Sequence, residues 1–583
     1  MKKLFTCFML PKYGTRALMA TGAKSIEVVG DLLTPLIIAR MIDVGITSGN
    51  IYDIIRYGLL LVLIACIGFA FTIFSQYNAS IVSQGIGTDL RSALFVKVQE
   101  LSSVDVHRLG ADTLVTRLIN DINQVQVMVA LGIRQLMRWP ILAVGSIVAT
   151  FLIDPQLGSI FLGATLIVGI IFWCIIRRTT VLFHTLQESL DMVSLFMREM
   201  LSGVRVIRVF RREESERVQF AQAVDRQTHI AATAANYSAL LNPATFFIMY
   251  AGIAFIFWIA APQVTSRSLS AGSIVALVGY MTQTLLAVGY IANLIIIVTR
   301  GVASTRRVME VLDTAPGLSD EKNAPITLSD QELSDGVALE LRDTTLTYDG
   351  GGDPALSHIS LTVPAGTTLG IIGGTGSGKS SLAKLCERLY EPEEGSVEVF
   401  GHAASTYTFS QLRHLVSFVP QHASLVSGTI RTNLIWRDVH ATDEDLWKAL
   451  ELAQAADFVR EKPRQLDSPV EAGGTNFSGG QRQRLTIARA LVGNPRIVIL
   501  DDSASALDFA TDASLRGALY SLRTEMTSVI ISQRVAAVMQ ADQILVLDHG
   551  HQVGLGTHKE LLATCPLYKE ICLSQLRPEE VEA

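Results

Sequence analysis

The residues best equipped for chemistry are Gly373-Gly374-Thr375-Gly376-Ser377-Gly378-Lys379-Ser380. They fit the pattern G-x-x-x-x-G-K-[ST]. The apolar run Leu369–Ile372 precedes them and the helix-like SSLAKLCERLY follows, which is the strand–loop–helix context the pattern requires. The glycines let backbone N–H groups converge on phosphate oxygens without a Cβ clash. The following helix presents its N-terminus to the same anion. Lys379 is placed to reach the β- and γ-phosphates of ATP and Ser380 to hold Mg²⁺. Ser381, next in the same turn, is counted with the binding residues. A second motif, Ile497-Val498-Ile499-Leu500-Asp501, is an apolar strand ending in a carboxylate placed for Mg²⁺. Alone, each has a plain structural reading: a tight turn, or a buried strand. As a pair they predict an ATP–Mg²⁺ site.

Between the two lies Asn476-Phe477-Ser478-Gly479-Gly480-Gln481-Arg482-Gln483-Arg484. This segment resembles the signature of ATP-binding cassette (ABC) transporters, usually written LSGGQ, with Phe477 in the first position. Ser478 is also a good helix N-cap ahead of QRQRLTIARALV, and both readings hold together. The resemblance implies that Ser478, Gly479, Gly480 and Gln481 face the γ-phosphate held by the other cassette of a dimer. It implies further roles residue by residue. Tyr348 resembles the aromatic that stacks on adenine, with edge-strand packing as its alternative. Gln421, after the strand VSFVP, resembles the glutamine that senses Mg²⁺. Ser505-Ala506-Leu507-Asp508 resembles the loop that crosses the dimer interface. Gly203-Val204-Arg205-Val206-Ile207-Arg208 with Phe210 resembles the second long cytoplasmic link of exporters, which ends in a short coupling helix. The likeness covers almost the whole chain.

Two departures from the family pattern fall in the catalytic pair. Active cassettes usually carry glutamate after the Mg²⁺-binding aspartate; this chain has Asp502. Its carboxylate falls about 1 Å short, and a misplacement of that size costs on the order of 100-fold in rate. The switch loop usually carries histidine; this chain has Gln533 in Ile531-Ser532-Gln533-Arg534. Glutamine donates to a phosphate but takes no proton as imidazole does. Ahead of the signature, Ser468-Pro469-Val470-Glu471 shifts a glutamate from its usual place, so Glu471 receives no role. The expected result is a site that binds ATP and hydrolyses it poorly, beside an intact signature able to complete a partner's site.

The elements that must position these residues follow from composition. Of 583 residues, 49% are hydrophobic and 17% charged, with net charge −6. Mean hydropathy is +0.37. A soluble domain carries roughly 25% charged residues, so a membrane-embedded region is implied. Disorder is excluded by the apolar content. The balance of 48 basic and 54 acidic residues gives no basic field, so no nucleic-acid partner is expected. The six cysteines form no C-x-x-C pair and no disulfide scaffold.

Greasy segments concentrate before residue 300. Spans are predicted at Leu18–Ile42, Tyr57–Ser75, Trp139–Phe151, Leu157–Ile176, Pro243–Ala261 and Ala271–Thr299, six in all. The first is the weakest, because it holds Lys24, Glu27, Asp31 and Arg40. The long links at about 78–137 and 177–240 keep helical periodicity and predict helical hairpins reaching well beyond the bilayer. Lys2, Lys3, Lys12, Arg16 and the arginines of the second link place both termini and both links in the cytoplasm. The expected domains are 1–300 in the membrane, a linker over 301–335, and a cassette over 336–583.

The fold class is therefore a multidomain membrane protein. A six-helix all-α transmembrane exporter domain precedes an α/β P-loop nucleotide-binding domain. The resemblance implies ATP-driven export across the cytoplasmic membrane. The substrate expected is a hydrophobic or amphiphilic small molecule, and the assembly a heterodimer whose second half-transporter carries the missing Glu and His. Two alternatives stay open: an ATP-gated regulatory or receptor-like subunit, and a homodimeric lipid or peptide exporter. Glu27 and Asp31 share a helix face. Either they attract a cationic amphiphile, or they pair with Lys24, Arg134 or Arg138, or they sit near the membrane edge.

Overall fold

The computed structural model describes residues 3–266, 269–320, 323–348, 352–503 and 507–577. The chain forms two compact units. The first is Met1–Gln99 with Ala111–Thr314, and the second is Glu100–Gly110 with Ala315–Ala583.

The first unit is helical. Among the described residues, five stretches are long and apolar enough to cross a bilayer: Ile51–Glu100, Ala111–Ile153, Pro155–Ser202, Glu213–Thr265 and Ala271–Asp313. The helix at the expected first span runs Leu10–Arg40 but is not among those five, because Lys24, Glu27 and Asp31 interrupt its apolar run. Its charges are paired. Lys24 lies 2.5 Å from Glu27, and Arg138 bridges to Glu27 and, at 3.0 Å, to Asp31. Of the open readings for these carboxylates, the structure has them paired with Lys24 and Arg138. Arg134 goes elsewhere, donating to Ser80 Oγ at 2.6 Å.

Several helices far outrun the membrane. A 50-residue helix is about 75 Å long, against about 30 Å of hydrocarbon. In the first long link the helix continues to Glu100, a short helix follows at Ser103–Leu109, and the chain folds back from Ala111. The antiparallel register shows in three bonds: Arg134 to Ser80, Gln126 Nε2 to Gln84 at 3.0 Å, and Arg91 Nη2 to Asn123 at 2.6 Å. The second link has the same plan, with Pro155–Ser202, Val204–Val209 and Glu213–Ala239. The last helix of this unit continues to Asp313. The change of composition near Gly301 therefore marks a change of surroundings and not the end of a helix, and the unit closes at Thr314 instead of 300. Past Gly301 the helix is held by polar contacts: Ser304 Oγ donates to Asp121 at 2.8 Å and Arg307 Nε at 2.9 Å.

The second unit is built on a ten-stranded sheet. One half of it is parallel, in the spatial order Gln543–Asp548, Thr368–Gly373, Thr527–Ile531, Ile497–Asp501, Val416–Val419, the last being an edge strand. Every residue of Ile497–Asp501 is buried, as is Leu369–Gly373. That is how strands read when helices cover both faces. Register aligns the carboxyl ends: Ile531 pairs with both Asp501 and Ile371, and Val419 with Leu500. Four neighbouring strands thus release their loops along one edge.

Candidate nucleotide site

Ligands in open parallel sheets bind in the crevice outside the carboxyl ends of the strands. Here that edge delivers the glycine-rich loop, Asp501 and Asp502, Gln533 and Gln421 from four adjacent strands. They line one cavity of about 380 Å³, together with Tyr348, Ala355, Thr375, Gly376, Ser377, Gly378, Lys379, Ser380 and Ser381.

The loop has a packed side and an open side. A Cβ on Gly373 would meet Leu547 O at 2.2 Å, and one on Gly378 would meet Ala355 O at 2.7 Å. Beside Gly374 and Gly376 there is open space. Gly376 and Gly378 hold φ of 81° and 97°, which favours glycine. The helix Lys379–Cys386 starts directly after, so its free N–H groups face the same opening.

Lys379 is buried and donates to Gly373 O at 2.9 Å, Gly374 O at 2.6 Å and Ser377 Oγ at 3.3 Å. Burial pulls its pKa down, opposed by the charges of Asp501 and Asp502. Asp501 is also buried and takes a bond from Ser380 Oγ at 3.2 Å. Burial pushes its carboxyl up, opposed by the Ser380 hydroxyl. The two charges are therefore held by neutral groups. An anion beside Lys379 and a hard cation between Ser380 and Asp501 would suit them, and oxygen donors of this kind suit Mg²⁺.

Asp502 has φ of 45°, a left-handed conformation that aspartate tolerates. Its Oδ2 accepts from Gln421 Nε2 at 3.2 Å. Gln533 is exposed at the cavity wall. Tyr348 lines the cavity and also packs on the core of the sheet. Its hydroxyl donates to Ser381 Oγ at 2.9 Å, and its ring meets Tyr390 edge-on at 5.0 Å. Ser381 thus orients the aromatic, a link that sequence spacing did not reveal. Ala355 is a second lining residue without a sequence signal.

The signature stands apart from this cavity. Ser478 caps the helix Gly479–Leu491 in a reciprocal box: Gln481 N donates to Ser478 Oγ at 3.3 Å, and Ser478 N to Gln481 Oε1 at 3.1 Å. Ser478 and Gly479 are exposed, and none of Ser478, Gly479, Gly480 and Gln481 lines the cavity of the same chain. Phe477, in the departure position, is buried in the core beneath. Glu471 accepts from Thr475 Oγ1 at 3.0 Å. Of the loop Ser505-Ala506-Leu507-Asp508, the first two residues lie outside the described ones; Asp508 caps the next helix by accepting from Thr511 N at 2.8 Å.

A helical membrane unit followed by an α/β unit with this phosphate loop defines a nucleotide-driven membrane protein. The ABC transporter transmembrane region profile matches residues 18–288, and the ABC transporter profile matches residues 356–505. An uncharacterized ABC transporter ATP-binding protein of Mycobacterium tuberculosis is 36% identical, over 94% of both chains. An ATP-dependent lipid A-core flippase of Xanthomonas campestris is 30% identical, over 85% of this chain and 84% of its own. A bacterial Atm1-family ABC exporter solved with ATP bound superposes with TM-score 0.78 at 23% identity, over 97% and 98% of the two chains. This chain belongs to the ABC transporters. Within them it joins the transmembrane and nucleotide-binding regions in one chain, as a half-transporter with the fold of an ABC exporter; it is a multi-pass membrane protein and an ATPase by family, in a class that works as dimers.

Proposed function

We propose that this chain is the hydrolysis-impaired half of a heterodimeric exporter of hydrophobic or amphiphilic compounds in the cytoplasmic membrane, with both termini in the cytoplasm. The observation that carries the asymmetry is Asp502. Its short carboxylate is tied sideways to Gln421, and the neighbouring switch position is Gln533.

The roles follow from the cavity. Lys379 exchanges its carbonyl partners for β- and γ-phosphate oxygens. Ser380 and Asp501, with Gln421, would hold Mg²⁺, and Tyr348 would stack on the adenine. Bound there, Mg²⁺ neutralises charge on the phosphate oxygens. Water attacks the γ-phosphorus, the bond to the bridging oxygen breaks, and ADP leaves with the electron pair. The water proton needs a base in line. Asp502 is one methylene short of that point, and Gln533 donates to the γ-phosphate without accepting the proton. The signature Ser478-Gly479-Gly480-Gln481, with Ser478 and Gly479 exposed, suits it to close the ATP site of a partner that carries the Glu and His absent here.

The substrate reading has support of a negative kind from the membrane unit. Lys24 and Arg138 already balance Glu27 and Asp31, so this group does not select a cation by net charge. Greasy or amphiphilic cargo suits such walls, and the flippase named above acts on a lipid.

The test is to purify the chain from its native cells in mild detergent and weigh the intact complex. A stoichiometric second half-transporter bearing the Glu and His is expected, with little ATP turnover from this chain alone. A homodimer hydrolysing ATP at a brisk rate overturns the proposal.

A further inference from the structure

We infer that Gln575, at the end of the C-terminal helix Pro566–Gln575, is a positioning residue for the switch loop: its side-chain amide grips the backbone on both sides of Arg534 and aims Gln533 into the nucleotide cavity. This rests on the reading of Gln533 as a γ-phosphate donor.

Gln575 Nε2 donates to Gln533 O at 2.8 Å, and Gln575 Oε1 accepts from Val535 N at 2.9 Å. Each end of the amide meets the one complementary backbone group, so the two bonds fix its orientation. Glutamate offers acceptors only, lysine donors only, and asparagine is a methylene shorter. Val535 opens a four-residue helix, Val535–Val538, whose N-cap supplies no side-chain bond. Its N–H has no acceptor inside the helix, and Gln575 serves as the cap from another element.

The remainder of the loop is tied to the sheet. Ser532 N donates to Ile371 O at 3.0 Å, and Arg534 N to Ser532 Oγ at 3.0 Å. Gln575 adds two more backbone bonds, to Gln533 O and Val535 N. Its own support is rigid. Tyr568 and Cys572, on the same helix face, are fully buried against Val535, Val538 and Ile372.

The test uses the assembled transporter in nanodiscs. Nucleotide on this chain is read by photolabelling with an 8-azido-adenine nucleotide, displaced by AMP-PNP or by ADP. Gln575→Ala is expected to weaken AMP-PNP about 10-fold, the order of loss when a contacting group is misplaced by a fraction of an ångström. ADP, which has no γ-phosphate, is expected to bind unchanged and so reports intact folding. Gln575→Glu keeps the cap on Val535 and loses the donor to Gln533; it is expected to show the same selective loss. In a Gln533→Ala background, Gln575→Ala is expected to add nothing, because both act through one contact. Tyr568→Phe, in the helix that carries Gln575, loses the 2.7 Å contact with His558 of the preceding helix and is expected to leave the AMP-PNP/ADP ratio unchanged. Equal weakening of both nucleotides, or an unchanged ratio in both Gln575 variants while Gln533→Ala lowers it, overturns the role of Gln575. An unchanged ratio in Gln533→Ala overturns the reading of Gln533 itself.

Discussion

Two clusters of buried charge, one in each unit, are built in opposite ways. In the helical unit, Lys24, Glu27, Arg138 and Asp31 sum to zero and satisfy one another across two helices. In the nucleotide-binding unit, Lys379 is surrounded by two carbonyls and a hydroxyl, and Asp501 by a hydroxyl. An ionic side chain in hydrocarbon is costly unless paired, so a closed set of opposite charges is what lets the helix Leu10–Arg40 sit among apolar neighbours. At the nucleotide site Lys379 and Asp501 are bonded only to neutral groups. Burial opposes both, raising the pKa of one and lowering that of the other. Charge balanced in place is structure; charge held ready by dipoles is a site.

The comparison is broken most severely at Lys379. Lys379→Ala is expected to reduce AMP-PNP binding to this chain on the order of 100- to 1,000-fold, as for loss of a main phosphate donor, with the melting temperature scarcely changed. A large stability loss without a binding loss would place Lys379 with the structural charges. The converse variant is Arg138→Met, which leaves Asp31 unpaired and Glu27 with Lys24 alone. It is expected to cost about 3–5 kcal/mol in thermal unfolding of the detergent-solubilised protein. Adding Asp31→Asn restores neutrality and is expected to recover part of that loss. If Arg138→Met instead leaves stability intact and changes only transport, the quartet belongs to a substrate site.

A third variant sharpens the site itself. Asp502→Glu with Gln533→His is expected to raise ATP turnover by this chain's site by up to about 100-fold, the scale of a 1 Å correction at the reacting centre. Single-turnover hydrolysis with a partner chain made inactive checks it. The smallest effect is in pH. Because the Asp501 carboxyl is raised above its ordinary range, a proton competes with Mg²⁺ at higher pH than for an exposed aspartate. Mg²⁺ affinity should fall as pH drops through that raised range and be full above it. A titration of Mg²⁺-dependent nucleotide binding from neutral into acid pH reads the loss, and a midpoint no higher than that of an exposed aspartate contradicts it.

Much of this was legible in the chain. The phosphate loop, the aspartates and Gln533 are local patterns, each read within a strand and the loop that follows. Five apolar stretches and the hairpin links follow from periodicity and length. How far the last helix runs past 301 did not, because residues 301–313 change in composition while the helix persists, held by Asp121 from a distant segment.

What the sequence by itself determined was therefore the set of groups and their order: which strand carries which loop, and which residue types stand at the chemistry. Only the tertiary structure decided partnerships at long separation. Arg138 meets Asp31 across 107 residues, Tyr348 meets Ser381 across 33, and Gln575 meets Gln533 across 42. Such contacts depend on which faces pack together and in what register, and side-chain spacing along one element does not encode that. For the same reason, the sequence left Glu27 and Asp31 with three readings, and the packing of the helix Arg138–Ile153 beside them supplied the partner Arg138.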